Sequence, residues 1–518
     1  MPLLSSVPGD VDITHHDAIE GYAGRLSTLP GQAMPLHVRC TTERYDVTVE
    51  RWGATREVVW QATDLAGAVP ATPADADAHG CGWPVSVEVP VGVDWRSGYH
   101  HVTLRAHGAP DDRAVSHACF VVRAGAARAR TLLVVATNTW NAYNSWGGCS
   151  LYTGGHEVSF RRPFGRGLLE RPGSERDDRK ARPVRWDEEP DVDGEIYQRY
   201  RFAHAYPGFM GSAGWWTYER RFVEWAERDG HVFDMAVSSD LDDDASTLDG
   251  YDLVLGVGHD EYWSAAGRDA VDAHVRRGGT YASLSGNTMF WQVRLTPTGS
   301  MVCHKYRAHL DDPVMADGHP EQMSGMWCDP VVGRPETAFL GAGSAYGLYH
   351  RFGQAVARGS GAFTVFRDGH WLLAGTGLRY GDLLGARDGV VGYETVGCRL
   401  AFDHHQLPIA AGGDGTPADV EVVAWAPSSN LRLGEYPASI AALDDQGDLE
   451  FVAERLYGRL DDDSIARVRH GNTVMLVCRP FGAAAGEVIT IGSTDWLFGL
   501  ETDPAVAQVT RNVLTRRS

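Results

Sequence analysis

The chain has 518 residues, 43% of them hydrophobic and 22% charged, and its 68 acidic against 47 basic side chains leave a formal net charge of -21. So acidic a protein is a poor match for nucleic acid or for anionic membrane surfaces, both of which call for a basic field. Residues 1–8 lack the basic and apolar regions of a secretory leader, no run of about 18 apolar residues occurs, and the eight cysteines form no CxxC pair, so a soluble cytoplasmic protein with free thiols is expected.

Residues 12–124 read as all-β. Short alternating runs at 36–40, 45–51, 85–89, 99–105 and 118–122 are separated by Gly, Pro and Asp clusters. This spacing predicts an immunoglobulin-like β-sandwich over 1–127, without the Cys…Trp…Cys pattern of true immunoglobulin domains and without a catalytic constellation. The pattern then changes. Residues 131–136 form a continuous apolar run, as in a strand buried on both faces. A helix over 217–229 stops at Gly230, and strands follow at 231–236, 251–257 and 280–284. Between the last two, Ser264 can cap a helix that ends at Gly278-Gly279. Alternating strands and helices predict a parallel, doubly wound sheet. Beyond Leu295 the chain is rich in loops and short strands. Strands at 473–478 and 487–493 and a helix over 503–514 then complete the layer. Residues 128–518 are therefore expected to be one α/β domain, glutamine-amidotransferase-like, with a β-rich insertion at about 296–470. The segment 161–201, dense in Arg, Asp, Glu and Pro, has the character of a lid, a partner surface or disorder.

Chemistry concentrates at Gly258-His259-Asp260-Glu261-Tyr262-Trp263-Ser264, directly after an apolar run. Parallel sheets keep their ligands at the carboxyl ends of their strands, and this segment brings an imidazole, two carboxylates and a phenol there. Four further segments stand out: the Asn/Trp/Tyr-rich stretch 139–152, Ser285 to Arg294, His319-Pro320-Glu321, and Val391-Gly392-Tyr393-Glu394. No GxSxG elbow, Walker loop or HExxH helix occurs. An amidotransferase sheet would carry a nucleophilic Cys after its third strand. Here that place holds Glu261 and Tyr262, so Cys-based amide transfer is not expected. Asp403-His404-His405 is set aside as a metal site, because neighbouring residues on a strand face opposite ways.

Taken together, segment 258–264, the stretch 139–152, SGNTMFWQVR and Gly492-Ser493-Thr494-Asp495-Trp496 resemble the large (catalytic) subunit of the N,N-dimethylformamidase family, over nearly the whole chain. The family's typical enzyme is larger, with an extra N-terminal β-domain and a small helical subunit. The resemblance implies amide hydrolysis at a mononuclear iron(III) held by two tyrosinates and a carboxylate. Carried over by residue, Tyr262 matches one tyrosinate, Tyr218 the second (with Tyr206 or Tyr200 as alternatives), and Glu321 the carboxylate. His319 would then stand near the metal's water and Glu394 would act as a second acid or base. Asn144, His259 and Asn287 become candidate substrate-binding residues.

The implied chemistry is coherent, since iron(III) is a hard ion that favours anionic oxygen donors and can activate both a water and an amide carbonyl. The expected substrate is a small amide or formamide, with a small subunit or further copies of the chain as partners. Two other functions are open: a metal-independent hydrolase using His319 and Glu394, and a carbohydrate- or partner-binding protein that uses its aromatic loops.

Overall fold

A computed structural model describes residues 17–111, 113–171, 206–207, 209, 211–349, 361–432 and 447–516. The described residues pack into two units, one within 1–174, 200–250 and 294–303, the other within 251–293 and 304–518.

The first unit begins with β1 (Ile19–Ala23), β2 (Ser27–Thr28), β3 (Ala33–Cys40), β4 (Arg44–Trp52), β5 (Arg56–Ala66), β6 (Val87–Pro90), β7 (Gly98–Ala106) and β8 (Val115–Val122). One antiparallel sheet has the order β1–β3–β6; the other runs β2–β8–β7–β4–β5, antiparallel except between β2 and β8. The alternation legible in β3 and β4 places Met34, Leu36, Val38, Tyr45, Val47 and Val49 inside. They share one core with Val102, Leu104, Ala118 and Phe120. Two strands, β1 and β5, carry no such alternation in the sequence. β1 is wholly buried although it contains Glu20 and Gly21, and β5 is largely exposed on both faces.

The same unit continues past residue 127 with β9 (Thr131–Val135), β10 (Glu157–Ser159), the helix Glu219–Arg228 and β11 (Asp234–Val237), which pairs parallel with β9. Of the charged stretch 161–201, residues 172–201 lie outside the described residues.

The second unit opens with β12 (Leu253–His259), β13 (Tyr262–Ser264), the helix Ala265–Arg276, β14 (Thr280–Gly286) and β15 (Trp291–Leu295). The Ser264 Oγ accepts the Gly267 N–H at 2.9 Å, the cap expected from the sequence. β16 (Ser300–Val302) belongs to the first unit, where it pairs with β10. There follow β17 (Phe363–Val365), β18 (Leu383–Leu384), the hairpin β19 (Leu400–Phe402) and β20 (Pro408–Ala410), then β21 (Glu421–Ser429), β22 (His470–Cys478) and β23 (Val488–Ile491). The main sheet of this unit runs β12–β14–β23–β22–β21–β17–β18.

This sheet departs from the all-parallel expectation. It is parallel from β12 through β14 to β23, and antiparallel from β23 to β18. Part of the stretch read as an insertion, β17, β18 and β21, therefore extends the sheet itself. Direction could not be read locally, because a buried run such as β22 is equally apolar in either orientation. The closing helix, Pro504–Thr515, starts one residue later than expected, because Asp503 is its cap: the Asp503 carboxylate accepts the N–H groups of Ala505 and Val506. Among the described residues no helix is long and apolar enough to cross a membrane, and all eight cysteines are free thiols.

One buried carboxylate gives this unit a pH-dependent stability. Glu336 has no exposed surface, and burial raises its pKa from 4.5 to about 7 even though it accepts the Ser344 N–H. Between these values the native state holds a proton that the unfolded chain releases, so this group's stabilising contribution is complete below pH 4.5 and is lost as pH rises through 7. The Glu336→Gln variant should therefore gain on the parent by about 3 kcal/mol between pH 4 and pH 8. Denaturant unfolding at both pH values checks this; a pH-independent difference would refute it.

Candidate active site

β12 and β14 run side by side to a common end, where His259 pairs with Gly286. The strand is two residues longer than the apolar run suggests, because the ladder to β14 carries it through Gly258 to His259. Tyr262–Ser264 forms a further strand paired parallel with β15, so the chemical segment shortens to a tight connection at Asp260 and Glu261. Asn287 follows β14 directly, in the left-handed region at φ 53°, a conformation that Asn tolerates better than most residues. Beyond β23, the Thr494 N–H donates to the Glu394 carbonyl (3.1 Å) and the Thr494 hydroxyl accepts the Glu394 N–H (3.3 Å). The carboxyl ends of three adjacent parallel strands thus gather His259, Asn287 and Glu394, where such sheets keep their chemistry.

Within this cluster His259 Nε2 lies 2.8 Å from Glu394 Oε2 and 3.3 Å from Glu261 Oε2. Asn287 Nδ2 donates to Glu394 Oε2 at 3.0 Å. Trp291 Nε1 donates to Glu261 Oε1 at 2.7 Å, and the Tyr393 hydroxyl stands 3.4 Å from His259 Nδ1. Burial alone would depress the imidazole's pKa, but the two carboxylates outweigh it and raise it to about 10. Neighbouring Asp260 is raised to about 7, chiefly by burial. Of the three side chains, His259 has no exposure, Glu261 has 3% and Glu394 has 10%, so Glu394 is the member that solvent can reach. The donor atoms of His259, Glu261 and Glu394 lie within 4.8 Å of one another, so this is also a place where a metal ion could be held.

Tyr262 is buried beside this cluster in sequence, with Lys305 Nζ 5.7 Å from its ring centroid. The same buried ammonium lies over the rings of Trp291 (5.2 Å) and Tyr306 (5.3 Å). Tyr306 in turn donates its hydroxyl to Asp448 at 2.5 Å.

The other sequence candidates stand elsewhere. His319 and Glu321 pair with each other at 3.5 Å on an exposed turn, with about three-fifths of each side chain open to solvent. Neither belongs to the buried donor set, and a Pro-initiated turn on the surface is the physical reason. Tyr218, a buried residue at the N-terminus of the helix Glu219–Arg228, and buried Tyr206 are parts of the first unit; Tyr200 lies outside the described residues. Asn144, also in the first unit, spends its amide on the backbone. It donates to the Pro163 carbonyl and accepts from the N–H groups of Trp146 and Gly165, which makes it an organiser of its own turn. His404 and His405 occupy the β19–β20 turn rather than a strand, with ring centroids 3.8 Å apart, so the argument from opposite strand faces does not apply to them.

The sequence marks Glu261 only as part of segment 258–264, and assigns no role to Trp291, Lys305, Tyr393 or Thr494. The adjacency of Glu261 to His259 was a usable signal, since a two-residue offset across a tight connection lets both side chains meet. A lone lysine in Cys303-His304-Lys305-Tyr306 offered none.

Comparison with known proteins adds two findings. The family described as N,N-dimethylformamidase beta subunit-like, C-terminal, matches residues 46–510. The N,N-dimethylformamidase beta subunit of Alcaligenes sp is 34% identical over 76 residues, covering 14% of this chain and 10% of that protein. The match thus spans a tenth of the relative's length, and both descriptions speak of a beta subunit, where the sequence resemblance was framed as the large subunit.

Proposed function

Because this chain belongs to the N,N-dimethylformamidase beta subunit-like family, we propose that it hydrolyses the C–N bond of a small amide or formamide at the His259–Asn287–Glu394 cluster. The observation that carries this reading is the Glu394 carboxylate. It lies at a sheet's carboxyl edge, the least buried of the three side chains at 10% exposure, and is fixed there by Asn287 and His259. In that position it can take a proton from the attacking water and return one to the departing amine nitrogen, which must be protonated before it leaves. Asn287 and His259 hold the carboxylate in one orientation. Glu261, fixed by Trp291, keeps His259 charged and in place.

Iron(III) remains part of the proposal. Two buried carboxylates, Glu261 and Glu394, with the His259 ring in its neutral form, would make a donor set suited to a first-row transition ion; the acid–base role of Glu394 and the charged His259 belong to the cluster without the ion. The Tyr262 phenol is the tyrosinate proposed to join them; the set Tyr262, Tyr218 and Glu321, which rests on the family resemblance alone, is the alternative proposal for holding the same ion. When bound, the ion would supply Lewis-acid polarisation of the amide carbonyl and an acidified water. The immunoglobulin-like and amidotransferase-like fold assignments are likewise proposals, supported by the two-sheet core of the first unit and by the placement of the cluster at the carboxyl ends of parallel strands. A small subunit or a second copy of the chain is the proposed partner, in keeping with the beta-subunit name of the relative.

The direct experiment is amine release from N,N-dimethylformamide and other small formamides by the purified chain. No turnover of any small amide would refute the reading. Metal analysis and a visible spectrum test the cofactor separately. Iron-loaded protein should be coloured by phenolate-to-iron charge transfer, and Tyr262→Phe should bleach it; colour unchanged in Tyr262→Phe removes that residue from the ligand set.

A further inference from the structure

The first unit carries a donor cluster of its own. The β7–β8 ladder sets His101 opposite Cys119 and Thr103 opposite His117, so the two imidazoles stand diagonally on one face of the sheet. That face is opposite to the one that buries Val102, Leu104, Ala118 and Phe120. Glu170 reaches the pair from a distant part of the chain. His101 Nε2 lies 2.9 Å from His117 Nδ1 and 2.9 Å from Glu170 Oε2, and His117 Nδ1 lies 3.7 Å from that oxygen.

These separations are those of metal donors. Bonds of about 2.0–2.1 Å set the ligands of a tetrahedral zinc roughly 3.3 Å apart, and the three observed distances straddle that value. The surroundings agree. Glu170 Oε2 is buried and faces both imidazole nitrogens at once, close enough to accept a ring N–H from His101 or to share an ion with the two rings. Its other oxygen is held by Arg56 at 2.9 Å, which aims Oε2 at the histidines. The Tyr99 hydroxyl lies 3.2 Å from His101 Nδ1, the second-nitrogen partner that metal-bound imidazoles characteristically have. Burial lowers the pKa of both histidines, that of His117 to about 3, so each offers a neutral ring with a lone pair. His117 and Glu170 expose 24% and 26% of their side chains, which leaves a solvent path and room for a water as further ligand.

We propose that His101, His117 and Glu170 bind a divalent transition ion of the zinc class, pinning the segment that carries Glu170 to the β7–β8 face. This site is made wholly of residues of the first unit and does not depend on the amide-hydrolase reading. Zinc titration of the metal-stripped full chain, with a cobalt(II) absorption spectrum as the coordination readout, tests it. The parent should bind one equivalent that both Glu170→Gln and His117→Ala weaken by about 100-fold or more, while Tyr99→Phe, which keeps all three donors, weakens it by about 10-fold. Glu261→Gln separates any zinc held at the other cluster and should leave this equivalent untouched. Circular dichroism of each variant confirms folding, and the partly exposed His117 and the isosteric Glu170→Gln change make loss of fold unexpected. Zinc binding of the same stoichiometry and affinity in the parent, Glu170→Gln and His117→Ala would overturn the proposal, as would a parent that binds no zinc here.

Discussion

Glu394→Gln is expected to lower kcat for amide hydrolysis by about 10²–10⁴-fold, the range that a positioned acid–base group contributes. The substitution keeps the side chain's length and leaves an oxygen for Asn287, so substrate binding and KM should change little. What it removes is the negative charge 2.8 Å from His259 Nε2 and the group that can shuttle a proton to the leaving nitrogen. Steady-state kinetics on a small formamide, beside a circular dichroism spectrum identical to the parent's, gives the answer. Retention of more than about half the parent kcat would assign the chemistry to another group, because no acid–base residue is so dispensable.

Gly286→Ala should be nearly as damaging, for a steric reason. Gly286 ends β14, and a Cβ built there would approach the Glu394 carbonyl and the Thr494 N–H closer than 3.0 Å. Both are backbone atoms, which cannot swing aside as a flexible side chain could. The methyl group must therefore push apart the very loops that exchange hydrogen bonds between Glu394 and Thr494. Overpacking of this kind costs about 1–3 kcal/mol. The displaced Glu394 should also cost about 100-fold in kcat, as small misplacements of catalytic groups do. Gly125→Ala is the control, since nothing lies within 4 Å of its added Cβ and it should leave both stability and rate unchanged. Denaturant unfolding and kinetics on the pair decide the matter. An alanine at 286 that leaves stability and rate at parental values would show that the close approach at Gly286 does not position Glu394.

How legible the molecule was depended on how local the determining forces are. The strands β9, β12 and β14 were readable because apolar runs between breakers admit few other fates. The helix Ala265–Arg276 is announced by Ser264, whose side chain acts on a backbone group three residues away, and the closing helix Pro504–Thr515 by its apolar positions and a Pro in its first turn. The segment 258–264 was recognisable as a site because it follows such a strand, and a strand's carboxyl end is a place defined along the chain.

The partners of that segment were decided elsewhere. His319-Pro320-Glu321 and Tyr393-Glu394 are equally short and equally polar in the sequence, yet the first is a solvent-exposed turn and the second is drawn under His259 by the β23 loop. Nothing local separates them, because burial of a carboxylate is a property of what packs over it. Glu394 meets Asn287 across 107 residues of chain, and His101 meets His117 only through the β7–β8 register. The same holds for the change from parallel to antiparallel in the main sheet, since an apolar run does not encode the direction in which it is laid down. The sequence by itself therefore determined the elements, the caps and one edge of the site, through interactions a few residues long. Only the tertiary structure decided which distant carboxylates face which imidazoles, because ion pairs and desolvation act through space and not along the chain.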